Sequence, residues 1–165
     1  MTSRARVLLI VLLGGAASLG ALYAQAQKKP AIAYPMGYRK WTHVKTMYVY
    51  GKENKLFDRF AGLHNVYVND LGWLPLYQGK TYPDGSTFAM EVDEPRTFQG
   101  AVESKGRKLV AVMKKNSKLY PNTGGWGFEV FQSYQGTGSL KDMKECFDCH
   151  SSQKPKDYVY SYYVE

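Results

Sequence analysis

The chain has 165 residues, 44% of them hydrophobic and 22% charged, with a formal net charge of +8. That length supports one domain with a real core, and the composition is that of a globular protein rather than a disordered or collagen-like chain. Two cysteines exclude a disulfide-stapled scaffold.

The N-terminus reads "MTSRARVLLIVLLGGAASLGALYAQAQ". Arg4 and Arg6 form a charged lead, Val7 to Leu22 is apolar, and Ala24-Gln25-Ala26 is an A-x-A cleavage site. The pattern predicts a signal peptide over residues 1–26, cut after Ala26, and a domain exported to the periplasm. The alternative is an uncleaved inner-membrane anchor. Gly14, Gly15 and Gly20 weaken the apolar run, which is also short for a span. Residues 27–37, "QKKPAIAYPMG", are basic and Pro-rich and read as an extended lead-in. Residues 38–165 then form a single domain.

Within that domain "YRKWTHVKTMYVYG" opens as a helical turn and continues as a strand from His43 to Tyr50. "GKENKLFDRF" is a polar connection. "AGLHNVYVN" alternates, with Leu63, Asn65 and Tyr67 on one face and His64, Val66 and Val68 on the other. "DLGWLPLYQGK" reads as a short helix from Asp70 towards Gly79, limited or bent by Pro75. "YPDGS" is a turn, because Pro sets φ and Asp-Gly tolerates tight geometry. "STFAMEVDE" alternates again and places Phe88, Met90 and Val92 on one face. "FQGAVESKGRKLVAVMKK" reads as a hairpin turned at Ser104 to Gly106. "GGWGFEVFQSY" is a strand, "GSLKDMKECFDCH" a short helix, and the tail "DYVYSYYVE" is strand-like. Five to seven strands and two or three short helices define an α+β domain, mainly antiparallel sheet.

The chemistry concentrates in "ECFDCH". Cys146, Cys149 and His150 form C-x-x-C-H, the attachment signature of a c-type haem. The spacing lets both sulfurs meet the two vinyl groups of one porphyrin, while His150 projects towards the iron as proximal ligand. A disulfide, a redox-active thiol pair or a ligand-poor metal site are the alternatives. The histidine directly after the second cysteine favours haem, and so does export. We therefore expect one covalent haem c. The open question is the second axial face of the iron.

"YRKWTHV", "FAGLHNVYVN", "YQGKTYPDGSTFAMEV", "GGWGFEVF" and the late "CFDCH" together resemble the cytochrome P-460 and cytochrome c-prime-beta superfamily, over most of residues 38–150. The resemblance implies a homodimer of antiparallel sheets, each subunit holding one haem against a sheet face. It also implies a division by distal side. Hydroxylamine-oxidising members carry a lysine, cross-linked to the porphyrin, five residues beyond the turn glycine. Here that glycine is Gly85 and the position is Met90. A distal carboxylate of those members aligns with Val110 and a distal arginine with His64, so the oxidase pattern is broken. Gas-binding members cap the iron with apolar rings, a role open to Phe57, Phe60 and Phe88.

Met90 favours a third possibility. A thioether is a soft iron ligand, and His/Met ligation is an electron-transfer arrangement. Met90 also fits an ordinary core stripe with Phe88 and Val92. Met47, Met113 and Met143 are rivals, and Met143 lies too close to the attachment motif to reach the far face. His64 reads as a packed histidine, a distal hydrogen-bond donor or a rival sixth ligand; His43 reads as surface. Lys141, Lys144, Lys154 and Lys156 flank the motif, and Lys105, Arg107, Lys108, Lys114, Lys115 and Lys118 crowd one hairpin. That is either a plain solvated surface or a rim that steers an acidic redox partner. No nucleic-acid partner is expected, since the aromatics are not interleaved in a binding motif. A membrane contact is expected only if the leader stays uncut. The reading is an exported mono-haem electron carrier ligated by His150 and Met90. The alternatives are a nitric oxide or carbon monoxide binder and, less favoured, a hydroxylamine- or nitric-oxide-oxidising enzyme.

Overall fold

The computed structural model describes residues 32–132 and 138–163. The leader expected over 1–26 lies outside them. Five strands follow one another as an antiparallel meander: β1 (Thr42–Val49), β2 (Gly62–Val68), β3 (Thr87–Phe98), β4 (Ala101–Lys115) and β5 (Trp126–Phe131). Each strand pairs with its neighbour in sequence, so no crossover is needed. The helices among the described residues are short: α1 (Phe57–Phe60), α2 (Asp70–Gln78) and α3 (Lys144–His150). This is the expected α+β class with a dominant antiparallel sheet. None of these helices is long and apolar enough to cross a membrane.

Local chemistry sets the joints. Asn69 caps α2 by accepting from the Gly72 N–H, and the same oxygen accepts from Thr87 N–H at 2.9 Å. One side chain thus ties the start of α2 to the start of β3. Gly79 ends α2 in the left-handed conformation, at φ 66°.

The register gives the sheet two apolar faces. His64, Val66 and Val68 on β2 stand beside Val92, Met90 and Phe88 on β3, which stand beside Leu109, Ala111 and Met113 on β4. Met113 and Ala111 in turn face Phe128 and Val130 on β5. This first face receives α1, α3 and the segment leading into α3, through Phe60, Leu140, Met143, Cys146 and Phe147. The second face carries Ala89, Val110, Val112 and Phe131, covered by Ile32, Tyr38 and Tyr120. Part of the expected extended lead-in is therefore packed chain: Ile32 and Pro35 are buried. Each fully buried apolar side chain contributes about 1.5–3 kcal/mol, so both faces supply core.

Two expectations are corrected. The hairpin turns at Gln99-Gly100, not at Ser104 to Gly106. Both turn residues have positive φ, 48° and 81°, as a two-residue turn matched to strand twist requires. Ser104 to Gly106 instead lie within β4, opposite the register irregularity between Glu94 and Pro95. Among the described residues of the C-terminal tail no strand forms: Tyr158 to Tyr163 stay outside the sheet, and Tyr158, Tyr160 and Tyr163 pack by their rings.

Candidate haem site

α3 packs Cys146 onto the first face of the sheet and sets His150 against Phe128 there, with Cys149 on the same helix. Cys146 and Cys149 are i, i+3 neighbours, so they share one side of the helix. Cys146 is half-buried against the cluster of Phe88, Trp126 and Phe128, while Cys149 is exposed; both thiols are unpaired. Burial pushes the Cys146 thiol up to about 11. A redox-active C-x-x-C needs a thiolate held low, so this environment opposes the thiol-redox alternative. It suits a sulfur carried as an apolar thioether. For the metal-site alternative, no group of three or more His, Cys, Asp or Glu side chains converges among the described residues.

His150 is oriented by its neighbours. Its Nδ1 lies 2.7 Å from the Tyr158 carbonyl oxygen. A carbonyl can only accept, so the ring proton sits on Nδ1 and Nε2 keeps its lone pair. Phe128 and Tyr160 hold the ring, with centroids at 5.0 and 5.2 Å. Burial lowers the His150 pKa and the Tyr158 carbonyl pulls it partly back. The neutral imidazole with an anchored Nδ1–H is the form that ligates metals.

Across the first face, Lys45, Val66, Met90, Ala111 and Val130 form one cross-strand row. Val66 and Val130 are 5% and 7% exposed, whereas Met90 and Ala111 between them are only half-buried. The opening in this face is therefore at Met90 and Ala111, where Phe60 and Leu140 also pack. Beside it lies a cavity of about 540 Å³ bounded by Leu109, Val130 and Leu140, with Arg59, Lys108 and Lys141 among its walls. That volume falls within the range of small-molecule sites. Arg59 also pairs with Glu145 at 2.7 Å and so links α1 to α3.

The remaining candidates separate clearly. Phe60 joins Met90 at the opening. Phe88 is core, edge-to-face with Tyr82 and tilted against Trp126, with centroids at 5.4 and 6.1 Å. His64 is fully buried opposite Met47 and Val92, on the side of the opening that faces Phe60. Its Nε2 donates to the Phe60 carbonyl, so Nδ1 is a bare acceptor with no partner. In this conformation it has no proton to give a bound ligand. Burial lowers its pKa, and Lys108 and Lys45 push the same way against the Phe60 carbonyl. Val110 does not reach this site: it lies on the second face, opposite Glu91 and Phe131. Met143 is occupied, its sulfur accepting from the Phe128 N–H at 3.4 Å. Met113 is buried and Met36 is exposed. His43 is exposed, as expected.

Sequence reasoning missed Tyr158, Phe128, Tyr160 and Lys45. Tyr158 acts through its backbone carbonyl, which no residue type announces. Lys45 reaches the first face because the irregularity between His43 and Lys45 shifts the phase of β1; its burial lowers its pKa.

A sheet with one partly open apolar face, below a helix that carries two unpaired thiols and a neutral imidazole, defines a protein built to carry a c-type haem. The family model for Cytochrome P460 matches residues 35–161, and the chain belongs to that family. It is a haem c cytochrome with the group covalently attached. The residues fit the group: apolar walls for the ring, cations for its carboxylates, thiols for its vinyl groups and an oriented nitrogen for its iron. No curated protein matches the chain.

Proposed function

We propose that this cytochrome is an exported one-electron carrier. Cys146 and Cys149 form the two thioethers, His150 is the proximal ligand and Met90 is the distal ligand. The bound haem supplies a one-electron couple. The chain's own residues then do three things. His150 Nε2 would bind the iron, with its ring fixed by Tyr158, Phe128 and Tyr160. Met90 would offer a thioether to the same iron, which would favour the reduced state. The apolar face excludes water, and Arg59 and Lys108 offer charges to the haem carboxylates.

The observation that carries this reading is Met90 itself. It is half-buried with Ala111 between the buried Val66 and Val130, beside the cavity, on the face that also receives Cys146 and His150. Position 90 holds no lysine, which is the residue the hydroxylamine-oxidising pattern requires. The test is the spectrum of the ferric protein before and after Met90→Ala. The parent should be low-spin and the variant high-spin. A low-spin spectrum unchanged by Met90→Ala would refute Met90 ligation.

A second reading is a binder of nitric oxide or carbon monoxide. Phe60, packed on the same cluster as Met90 and the small Ala111, favours it, since an aromatic ring there offers an apolar cap. In that reading the ferric protein is five-coordinate before any substitution. The partner of the electron carrier would be an acidic protein. Part of the basic surface is already neutralised, since Lys144 pairs with Asp148 and Lys105 with Glu94. Lys141, Lys154 and Lys156 stay exposed beside α3 and are the charges we assign to steering.

A further inference from the structure

The Tyr158 carbonyl that meets His150 sits in a constrained piece of chain. Asp157 and Tyr158 both have positive φ, 49° and 67°, a conformation that side-chain-bearing residues rarely adopt and that persists only where the surroundings enforce it. The enforcement is visible. The Asp157 carboxylate receives Lys115 Nζ at 2.7 and 2.9 Å, and its Oδ2 also accepts from Tyr82 N–H at 3.0 Å. The Asp157 carbonyl accepts from Trp126 Nε1 at 2.8 Å. Lys115 gives a further hydrogen bond to the Gly124 carbonyl at 3.0 Å and lies over the Trp126 ring. The Tyr158 ring rests against Gly124, where an added Cβ would collide with it at 2.2 Å.

The Lys115–Asp157 pair is nearly buried, with side-chain exposures of 6% and 11%. A buried pair is costly to desolvate and is weak evidence for stability alone, but it can fix one geometry. Here the fixed element is the residue before the carbonyl that His150 uses. From this we infer that Lys115 and Asp157 are positioning residues for the proximal ligand: the buried pair sets the Tyr158 carbonyl, and through it the donor strength of His150. The inference rests on His150 being the proximal ligand. A histidine whose Nδ1–H is firmly held is a more basic donor at Nε2 and stabilises ferric iron. Loosening the carbonyl therefore moves the reduction potential to more positive values. Met90 is not involved, so the distal side should be unchanged.

The experiment uses the haem-loaded protein. Asp157→Asn removes the charge pair, and Trp126→Phe removes the donor to the Asp157 carbonyl and shrinks the buried ring under Lys115. Val112→Ala, on the second face, serves as a control for lost stability. The readouts are the reduction potential and the NMR signals of the His150 ring nitrogens. We expect Asp157→Asn to shift the potential positive and move the Nδ1–H resonance. Trp126→Phe should shift both in the same direction by less, and Val112→Ala should shift neither. If Asp157→Asn yields no haem-loaded protein, Trp126→Phe decides on the same readouts. Parental potential and parental Nδ1–H resonance in the deciding variant would overturn the inference. A parent protein whose His150 nitrogens show no coupling to iron would overturn the proximal-ligand reading itself. Iron-coupled His150 signals that the variants leave unmoved would overturn the positioning role alone.

Discussion

Asp93 and Val110 show how much one residue's direction matters. On β3, successive side chains alternate between the face that carries Met90 and the face that carries Glu91 and Asp93. Asp93 is 5% exposed, and its Oδ1 has no hydrogen-bond partner. Burial raises its pKa and Glu91 adds to this, while Ser104, Arg39 and Arg107 act against it. A carboxyl with a raised folded pKa keeps its proton in the folded state while the unfolded state has lost it. Its stabilising share is thus full at low pH and is lost as pH rises through the folded value. We expect Asp93→Asn to raise the midpoint of thermal unfolding at neutral pH, with the gain shrinking towards acid. A loss of stability at neutral pH would contradict this. The motif residues Cys146, Cys149 and His150 were legible because their chemistry is local and survives any fold. Val110 was misplaced because a one-residue offset sends a side chain through the sheet. Nothing in the sequence announces the two register shifts on β3–β4. We expect Cys146→Ser and Cys149→Ser each to leave a single thioether, read from the pyridine spectrum of the denatured protein; two thioethers in either variant would contradict the assignment.

The elements were easiest to read where turn chemistry and alternation agreed. β2 runs from a buried Gly62 to a fully buried Val68 with the expected alternation, and α2 ends at the expected glycine. The hairpin was not legible to that degree. Gln99-Gly100 and Lys105-Gly106 both offer a glycine near polar residues, and only the ladder register decides between a turn and a bulge. The tail misled for a related reason: its tyrosines have high strand propensity, but Tyr163 meets Trp73 and Tyr77 edge-to-face and Tyr158 tilts against Phe147 instead of entering a ladder. Two substitutions test the joints. Asn69→Ala removes the cap of α2 and the acceptor of Thr87 N–H, and should cost about 2–3 kcal/mol in denaturant unfolding. Gly62→Ala places a Cβ 2.4 Å from the Asp93 carbonyl oxygen at φ 141°, and should cost at least about 2 kcal/mol. Parental stability in either variant would show that the joint is not rigid.

At the scale of the whole molecule, a five-stranded meander gives two faces with different work. The second face is closed by the chain leading into β1 and by the segment before β5, and serves as core. The first face is left partly open at Met90 and is approached by the helix that carries the attachment motif. The alternation of β2 and β3 showed which residues share a face, and the family resemblance implied haem on a sheet face, but neither showed which face stays open. Neither pattern could show which end of the sheet α3 would meet, because the contacts of Met143, Phe147 and Tyr158 are set by packing. The surface charge bears on encounter: electron exchange with an acidic protein should slow as ionic strength rises, in a stopped-flow series. A rate independent of salt would remove the steering role from Lys141, Lys154 and Lys156. The central claim, His150 and Met90 on one haem, is tested most directly by the optical and EPR spectra of the ferric protein. We expect low-spin iron with a methionine-to-iron charge-transfer band. High-spin, five-coordinate iron would contradict it and turn the same site into a gas-binding pocket.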